Sequence, residues 1–434
     1  MLKSIHLKNF KLHEDTLIEA APITVFIGPN NTGKSSIFQA LLLLRQAASR
    51  NDRLLCQSSA GEMPPQAPYE YSPQRAVDLG RFEEIRGRAG NDIHVEIAGV
   101  IRAGMSAVGI DEISVSARLR IRDNQLVSHD GSVDVFGTKA PWGFVQGAPV
   151  LNTTIQRGEV TYVLQVLETF QLTGHGGYSV ARPGTEPETL LLYNETSRLL
   201  GTAPSRLLAS LHPVYALRGF EEWGCPITDY PPTSMELLTL HDRAIALPNA
   251  LASDLQLKKR LSDRLEELLH TSIDYVHVPG KRLKILAKPR VDNAHETLFV
   301  NEGTGANQIP FILVPVLLTP PNETILLSEP EAHLHPKGQC DLTRMLLTVA
   351  KKENIQFFIE THSEHVLHVI LNAVARGEWT KDDVALHYFE NVEGTAQVKR
   401  LGINEHGQVD GGLPGFFDQS LAELTEYLDA LGKH

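Results

Sequence analysis

The chain has 434 residues, of which 42% are hydrophobic and 21% charged, and its formal net charge is −12. This length suits one large domain with an insertion, or two or three lobes that each bury a core, and it excludes a short binding module. The acidic balance argues against a surface that binds nucleic acid over its whole extent, although it leaves room for a local basic groove.

Cysteine usage and hydropathy indicate a cytoplasmic protein. Cys56, Cys225 and Cys340 are far apart, odd in number and form no CxxC pair, so the sequence predicts neither a disulfide framework nor a zinc ribbon. No apolar run approaches the roughly 18 residues of a membrane-spanning helix. The start "MLKSIHLKNF" alternates like a strand and lacks the apolar segment of a signal peptide. We therefore expect no membrane insertion.

The first 140 residues predict strands on both sides of one helix. The stretches "IHLKNF" and "ITVFIG" indicate strands, the second of them buried. A helix follows from about Gly33 or Lys34, and the leucine run 41–44 predicts that it packs against a sheet. Residues 57–75 are rich in Pro, Ser and Gln and predict an exposed loop. The runs "DIHVEIAGVI" and "EISVSARLRI" then predict an antiparallel sheet.

Residues 141–275 have a weaker pattern. Apolar spacing predicts helices in "YVLQVLETFQL", "ETLLLYNETSRLL" and "LASDLQLKKRLSDRLEELLH". No heptad repeat is sustained, which favours a compact helical lobe over a long coiled coil.

From Thr324 onwards, short apolar strands alternate with helices. The strands are "TILLSE", "IQFFIE" and "VALHYFE", and the helices run from about Pro336 to Ala350 and from after Ser363. This alternation predicts an α/β core with a largely parallel sheet. Both ends of the chain would then return to one sheet.

A phosphate-binding loop is predicted at residues 28–36. The sequence fits G-x-x-x-x-G-K-[ST] at every fixed position, between a predicted strand and a predicted helix. Glycines let backbone N–H groups curve around phosphate oxygens, and the helix N-terminus favours negative charge. In this motif Lys34 reaches the β and γ phosphates and the Ser35 hydroxyl binds Mg²⁺. The predicted nucleotide-binding residues are Gly28, Pro29, Asn30, Asn31, Thr32, Gly33, Lys34, Ser35 and Ser36.

Two later strands end in polar residues. The first leads through Ser328 into Glu329, which falls where a water-activating carboxylate lies beside a phosphate loop. The second ends just before His362, in a position to contact a γ-phosphate. We therefore expect both strand ends to lie beside the loop.

Together these motifs resemble ABC-type ATPases of the RecF, SMC and OLD (overcoming lysogenization defect) kind, and more closely prokaryotic AAA-annotated ATPases found beside defence genes. The resemblance rests on "LKNF", "GPNNTGKSS", "EPEAHLHP", "ETHSEH" and the ending "INEHGQVDGGLPGFFDQS". It covers both ends of the chain, while the middle matches weakly, for instance in "YALRGFE" around Arg218.

This resemblance implies an α/β fold, namely an ABC-type P-loop ATPase head with a mixed β lobe and an inserted helical lobe. Residues 1–140 would form the N-terminal part of the head, with the phosphate loop and an antiparallel β lobe. Residues 141–275 would form the helical insertion. Residues 276–434 would form the C-terminal part of the head, with the signature, acidic strand and switch histidine.

The same resemblance implies that ATP and Mg²⁺ are held between two subunits of a homodimer or a higher even-numbered oligomer. A signature loop would cap the ATP of the other subunit, and "NEGTGANQIPFIL" lies where that loop belongs. The catalytic residues would be Lys34, Glu329 as general base and His362 as switch histidine, while His333 and His335 would lie in a segment that crosses the interface. The signature candidates are Gly303, Thr304, Gly305, Asn307 and Gln308.

Ser328 departs from the family pattern, in which Asp or Glu stands on the metal side. A hydroxyl can hold a metal-bound water, but it lacks the negative charge that binds the ion well. Losing one preorganised electrostatic contact costs roughly 10²–10³ in rate, so we expect slow hydrolysis, with Glu329 and Glu331 as the candidates to compensate. The predicted metal-side residues are Ser35, Ser328 and Glu329.

The predicted function is therefore an ATPase that controls a partner effector, a separate nuclease in bacterial anti-phage defence, and its defence role rests on analogy. The alternatives are a nucleotide-gated scaffold without significant hydrolysis and a RecF-like DNA-repair ATPase. A metallonuclease built from His333, His335, His362 and His365 with Glu331 matches no zinc spacing. We expect no fused Toprim nuclease, because two strands and the segment "LPGFFDQSLAELTEYL" account for the residues after His362.

DNA contact is an open question at residues 258–290. This span holds nine Lys or Arg against four acids. Such an excess can follow a phosphate backbone, and a solvated helix face followed by an exposed hairpin explains it equally well.

Overall fold

A computed structural model describes residues 1–49, 79, 82–105, 110–122, 125–135, 138–145, 152–157, 160–165, 179–180, 203–204, 206–239, 243–289, 295–412 and 426. The strands in this part of the chain are β1 (Leu2–Phe10), β2 (His13–Glu19), β3 (Ile23–Ile27), β4 (Asp92–Met105), β5 (Ile110–Arg122), β6 (Gln125–Val135), β7 (Thr138–Val145), β8 (Asn152–Arg157), β9 (Val160–Gln165), β10 (Ser179–Val180), β11 (Leu211–Val214), β12 (Cys225–Pro226), β13 (Thr271–Val278), β14 (Arg282–Pro289), β15 (Thr297–Leu298), β16 (Thr324–Ser328), β17 (Gln356–Glu360), β18 (Val384–Val392) and β19 (Thr395–Leu401). The α-helices are α1 (Lys34–Ser49), α2 (Phe82–Ile85), α3 (Ser234–Thr239), α4 (Ala246–Ser253), α5 (Leu255–Leu269), α6 (Thr304–Leu318), α7 (Pro336–Glu353) and α8 (Glu364–Ala375).

The central sheet brings the two ends of the chain together. Its strand order is β11-β16-β17-β3-β18-β19, and every pairing is parallel except that of β18 with β19. β3, from the N-terminal region, thus lies between two strands from the C-terminal region. Because both faces of this sheet are covered, β3 and β17 are buried at every residue, which explains their continuous apolar sequences.

Each face of the central sheet has its own hydrophobic core. On one face, Phe26 and Phe358 pack with the leucines of α1 and with the antiparallel sheet β2-β1-β4-β5-β6-β7. On the other face, Val25 and Phe357 pack with helices α4 to α8. Successive strand residues point to opposite faces, so both cores are built from alternate positions of the same strands. The central sheet is the layer that both halves of the fold share.

The described fold confirms most of the predicted elements. It is a mixed α/β fold with several sheets and helices, and the largely parallel sheet, the helix from Lys34 and the antiparallel pair β4–β5 are all present. The strong helical pattern at residues 251–270 forms α4 and α5, and Asp254 separates the two helices. Its carboxylate accepts hydrogen bonds from the N–H groups of Gln256 and Leu257, both at 2.9 Å, and so caps α5.

Other expectations differ from the structure or lie outside it. The helix predicted at 162–172 is wrong for residues 162–165, which belong to β9, because Tyr162 and Val163 suit a strand. The remaining residues of that stretch, the helix predicted at 188–200 and the loop predicted at 57–75 lie outside the described residues. The span 141–275, predicted as a helical insertion, also contains β11, which pairs with β16 in the central sheet.

Candidate nucleotide site

The predicted phosphate loop forms a tight turn between β3 and α1. Gly28, Asn31 and Gly33 have positive φ angles of 137°, 59° and 97°. Both glycines are also required by contact, because a Cβ on Gly28 would overlap the Phe389 carbonyl and one on Gly33 would lie 2.8 Å from His13 Nε2. The loop conformation therefore depends on these two positions.

Lys34 is folded back into its own loop. Its Nζ donates to the carbonyl oxygens of Gly28 at 2.9 Å and Pro29 at 2.6 Å, and it lies 3.4 Å from Thr32 Oγ1. The residue is 3% exposed, and burial lowers the pKa of its ammonium group, although the charges of Glu360 and Glu329 oppose this shift. The ammonium group is thus held among carbonyl oxygens of its own loop.

Parallel strand order places the strand ends beside this loop. The cleft has a volume of about 610 Å³, and residues 30–36 line it together with Glu329, Glu360 and His362. This size falls within the range of small-molecule sites. Of the predicted loop residues, Gly28 and Pro29 do not line the cleft, since their carbonyls face Lys34.

Glu360 belongs to the cleft and was not among the predicted site residues. It ends β17, is 3% exposed, and accepts a 2.5 Å hydrogen bond at Oε1 from the Ser35 hydroxyl. Burial raises the pKa of this carboxyl group, against the opposing effects of the Ser35 hydrogen bond and the Lys34 charge. The signal that could have revealed it is a glutamate at the end of the apolar run "QFFIE".

Ser328 ends β16 but does not line the described cleft. Its carbonyl accepts a hydrogen bond from Arg218 Nη1 at 2.8 Å, and the next carbonyl, that of Glu329, accepts one from Arg218 Nη2 at 2.7 Å. Glu329 has a positive φ of 45°, and its N–H donates to the Glu360 carbonyl at 2.8 Å. Such a backbone conformation is costly for a non-glycine residue and persists only where neighbours enforce it. Arg218 and the adjacent strand supply that enforcement.

A buried carboxylate fastens the second strand end. Glu331 Oε1 accepts hydrogen bonds from Thr361 Oγ1 at 2.6 Å and from the His362 N–H at 3.0 Å. Burial raises the pKa of Glu331. The pKa of His362 is lowered, first by burial and then by Lys34, which favours a neutral imidazole near pH 7. Its backbone is thus fixed while its side chain lines the cleft.

The donor set suits Mg²⁺. Mg²⁺ prefers oxygen ligands and is commonly held by one or two carboxylates together with substrate phosphates and water. The Ser35 hydroxyl and the Glu360 carboxylate are in contact, and both line the cleft with Glu329. Within the described residues, no group of three or more His, Cys, Asp or Glu side chains is placed to hold a metal ion by itself. A nucleotide would have to complete the coordination.

The predicted signature loop is the first turn of a helix. Gly303 precedes α6, and it is exposed together with Thr304. Asn307 pairs with both the N–H and the carbonyl of Phe220, at 2.9 and 3.0 Å. Buried Gln308 donates to the Ala332 carbonyl. Asn307 and Gln308 thus serve contacts within this chain.

The basic span also makes contacts within the chain. Lys258 and Lys288 each form a 2.8 Å ion pair with Asp274. Arg282 pairs with Glu222 at 2.5 Å, and Arg260 donates to the Leu317 carbonyl at 2.7 Å. Arg290 lies outside the described residues. The local excess of charge is therefore partly neutralised by acidic neighbours.

Two family models match this chain. An AAA ATPase domain matches residues 1–96 and 252–367, which together are just under half of the chain and contain every predicted site residue. Residues 380–426 match a family described as a protein of unknown function, DUF3696. No curated protein matches the sequence. The ATPase-domain match bears out the expected kind of domain at the residues that form the cleft.

Solved structures with a similar chain path include three heads of SMC proteins. One is an Smc head bound to the C-winged helix domain of ScpA, at 13% identity over 93% of this chain and 98% of that chain, with a TM-score of 0.47. Another is the SMC head domain from Thermotoga maritima, at 14% identity over 93% and 99%, with a TM-score of 0.42. The third is an Smc head domain with an extended coiled coil bound to the C-terminal domain of ScpA, derived from Pyrococcus furiosus, at 12% identity over 98% and 99%, with a TM-score of 0.44. In the described part of the present chain, no helix is long and apolar enough to span a membrane.

Proposed function

We propose that this chain is an ATPase that binds ATP with Mg²⁺ in the cleft between the phosphate loop and the ends of β16 and β17. The observation that carries the proposal is the meeting of the loop with Glu329, Glu360 and His362 in one cleft. The match to an AAA ATPase domain supports it, since both matched segments contribute residues to that cleft.

Each group has a role that follows from its chemistry. The N–H groups of the loop and of the start of α1 bind phosphate oxygens, and Lys34 reaches the β and γ phosphates. Glu329 acts as general base toward the attacking water, and neutral His362 contacts the γ-phosphate. When bound, Mg²⁺ neutralises the charge that develops on the phosphates.

We further propose that two chains close head to tail around ATP. In this arrangement Gly303 and Thr304, which are exposed at the start of α6, contact the ATP of the partner chain. Gly305, Asn307 and Gln308 position that turn through their internal contacts. Closure would then give the ATPase its means of controlling a partner effector. A nuclease in anti-phage defence is the effector that the family resemblance favours.

The decisive test measures ATP binding and turnover with Mg²⁺ for the native chain and for Lys34→Ala. We expect the native chain to bind and hydrolyse ATP and Lys34→Ala to lose both, because the lysine is the only described cation in the loop. Lys352→Ala, an exposed lysine on α7, is the matched control and should behave like the native chain. A native chain that does not bind ATP would overturn the proposal.

Turnover also separates the ATPase from the nucleotide-gated scaffold. If the native chain binds ATP but its turnover equals that of Glu329→Gln, the nucleotide-gated scaffold replaces the ATPase as the proposed function. Light scattering of Glu329→Gln with ATP tests closure, for which a doubling of mass is expected. An unchanged mass would contradict head-to-tail dimers.

A further inference from the structure

Ser328 leaves the last residue of β16 without a carboxylate, yet a carboxylate is present at the last residue of β17, one strand closer to the phosphate loop. In the sheet, Glu360 pairs with Ser328 on one side and with Phe26 of β3 on the other. Adjacent strands lie about 4.8 Å apart, so Ser328 is two strand spacings from β3 and Glu360 is one. The two residues occupy the same level of the sheet on neighbouring strands.

The side chain of Glu360 points toward α1, the helix that follows the phosphate loop. Phe358, two residues earlier on β17, packs in the core that contains α1, whereas Phe357 and Ile359 pack in the opposite core. Alternation places Glu360 on the α1 side. Its contact with Ser35, the second residue of α1, agrees with this. Position along the strand and choice of face both direct the carboxylate to the loop.

We propose that Glu360 is the metal-side acid of this site and holds Mg²⁺ together with the Ser35 hydroxyl, the role that Ser328 does not fill. This inference rests on the proposed ATP site. In this assignment the metal-side carboxylate lies at the last residue of β17 rather than at the last residue of β16, at the same edge of the sheet. The expectation of slow hydrolysis rested on the missing charge at Ser328, and Glu360 removes that reason.

Neighbouring groups fit this assignment. Lys34 and Glu329 both lie close enough to influence the charge on Glu360, so one site contains the phosphate-binding cation, the proposed base and the metal-side acid. Glu331 does not line the described cleft, and its Oε1 accepts hydrogen bonds from Thr361 and His362. Within the described cleft, Glu360 is the carboxylate that touches Ser35.

The test compares metal and nucleotide binding in the full chain. The affinity of Mn²⁺, a paramagnetic substitute for Mg²⁺, is measured by electron paramagnetic resonance in the presence of a non-hydrolysable ATP analogue. The affinity of a fluorescent ATP analogue is measured separately in EDTA. For Glu360→Gln we expect Mn²⁺ affinity to fall about 10–100-fold, with binding in EDTA retained. Glu353→Gln makes the same chemical change at the far end of α7 and should match the native chain.

The outcomes separate this inference from the ATPase proposal. Unchanged Mn²⁺ affinity in Glu360→Gln, with a native chain that binds nucleotide, overturns the role of Glu360 and leaves the ATPase standing. A native chain that binds no nucleotide overturns the ATPase itself. If Glu360→Gln does not fold, Glu360→Asp keeps the charge on a shorter side chain. Its Mn²⁺ affinity should then fall, and a native value in that variant overturns the assignment.

Discussion

Two helix starts in this molecule carry glycines beside polar residues, and they use them differently. At the start of α1, Gly28 and Gly33 have positive φ angles, and the loop between them faces a cleft. At the start of α6, Gly305 has no such angle, but a Cβ there would overlap the carbonyl of His333. The two glycines near α1 shape a loop that lines a cleft, and Gly305 allows a close packing contact.

The polar side chains beside these glycines differ in the same way. Lys34 and Ser35 lie in the cleft, whereas Asn307 and Gln308 are bonded to the backbone of Phe220 and Ala332. A glycine-rich helix start is therefore not enough to identify a ligand site. The two helix starts differ in whether their polar side chains line a cleft, since both have partners within the chain. Changes near α1 should alter nucleotide chemistry, and changes near α6 should alter stability and association.

The largest effect is expected for Glu329→Gln. Removing a general base costs about 10²–10⁴ in rate, so turnover should fall by that factor while ATP binding is retained. Steady-state phosphate release and equilibrium nucleotide binding check the two halves of this prediction. Glu353→Gln serves as the control. Loss of ATP binding together with turnover would mean that Glu329 maintains the cleft rather than the chemistry.

The next largest effect is expected for Arg218→Lys, which tests how Glu329 is positioned at the end of β16. The guanidinium donates to two consecutive carbonyls, those of Ser328 and Glu329, and a single ammonium group cannot reproduce both bonds. A displaced Glu329 should lower turnover by up to about 10²-fold, with smaller effects on binding. Arg260→Lys, which loses a similar carbonyl contact at Leu317, is the matched control. Equal turnover in both variants would show that Arg218 does not position Glu329.

At the start of α6, Asn307→Ala tests the other side of the comparison. This change leaves the N–H and carbonyl of Phe220 without their partner and should lower the free energy of unfolding by about 1–3 kcal/mol. The ATP affinity of the single chain should stay at its native value. Urea unfolding and nucleotide titration measure the two quantities, with exposed Asn301→Ala as the control. If Asn307→Ala keeps native stability but binds ATP more weakly, the start of α6 affects nucleotide binding and the proposed difference between the two helix starts is wrong.

The smallest expected effect is a loss of fold stability at acidic pH, and it arises in the central sheet that precedes the phosphate loop. Burial is the main cause that lowers the pKa of His387, on β18, to about 4, and its Nε2 lies 2.9 Å from the Glu19 carbonyl. Because the ordinary pKa is 6.5, the unfolded chain takes up a proton before the folded chain does. This contribution to stability is therefore present above pH 6.5 and is lost as the pH falls toward 4.

From about pH 7.5 to about pH 5.5, His387 alone should cost the fold about 1 kcal/mol. Urea unfolding at the two pH values measures the loss in the native chain, and His387→Gln should show a smaller loss. An equal loss in both would assign the acid sensitivity to other groups, among which buried His13 and His212 also have lowered pKa values.

Sequence patterns predicted the parts of this fold whose signals are local. The apolar strands β3, β16 and β17, the loop at 28–36 and the helix at 34 each follow from a short stretch of chain. β11 was missed because its four residues, which include a histidine and a proline, give no strand pattern and do not show which sheet they join. Strand pairing between distant segments is set by the whole fold.

The candidate site was likewise predictable only where its sequence signals are local. Glu329 and His362 were placed by their positions after apolar strands, and both line the cleft. Glu360 was overlooked because its role depends on the pairing of β17 with β3, which brings it to Ser35. The contacts of Asn307 and Arg218 with backbone groups of distant residues leave no mark in their own sequence neighbourhood. A short stretch of sequence identifies a motif, and the order of strands in the sheet determines which other side chains lie beside it.

The contacts of Lys34 have a consequence for the loop itself. Its ammonium group donates to the carbonyls of Gly28 and Pro29, the two residues that follow β3, so the first residue of α1 is tied back to the start of the loop. A change at Lys34 should therefore alter the conformation of the loop as well as the charge in the cleft.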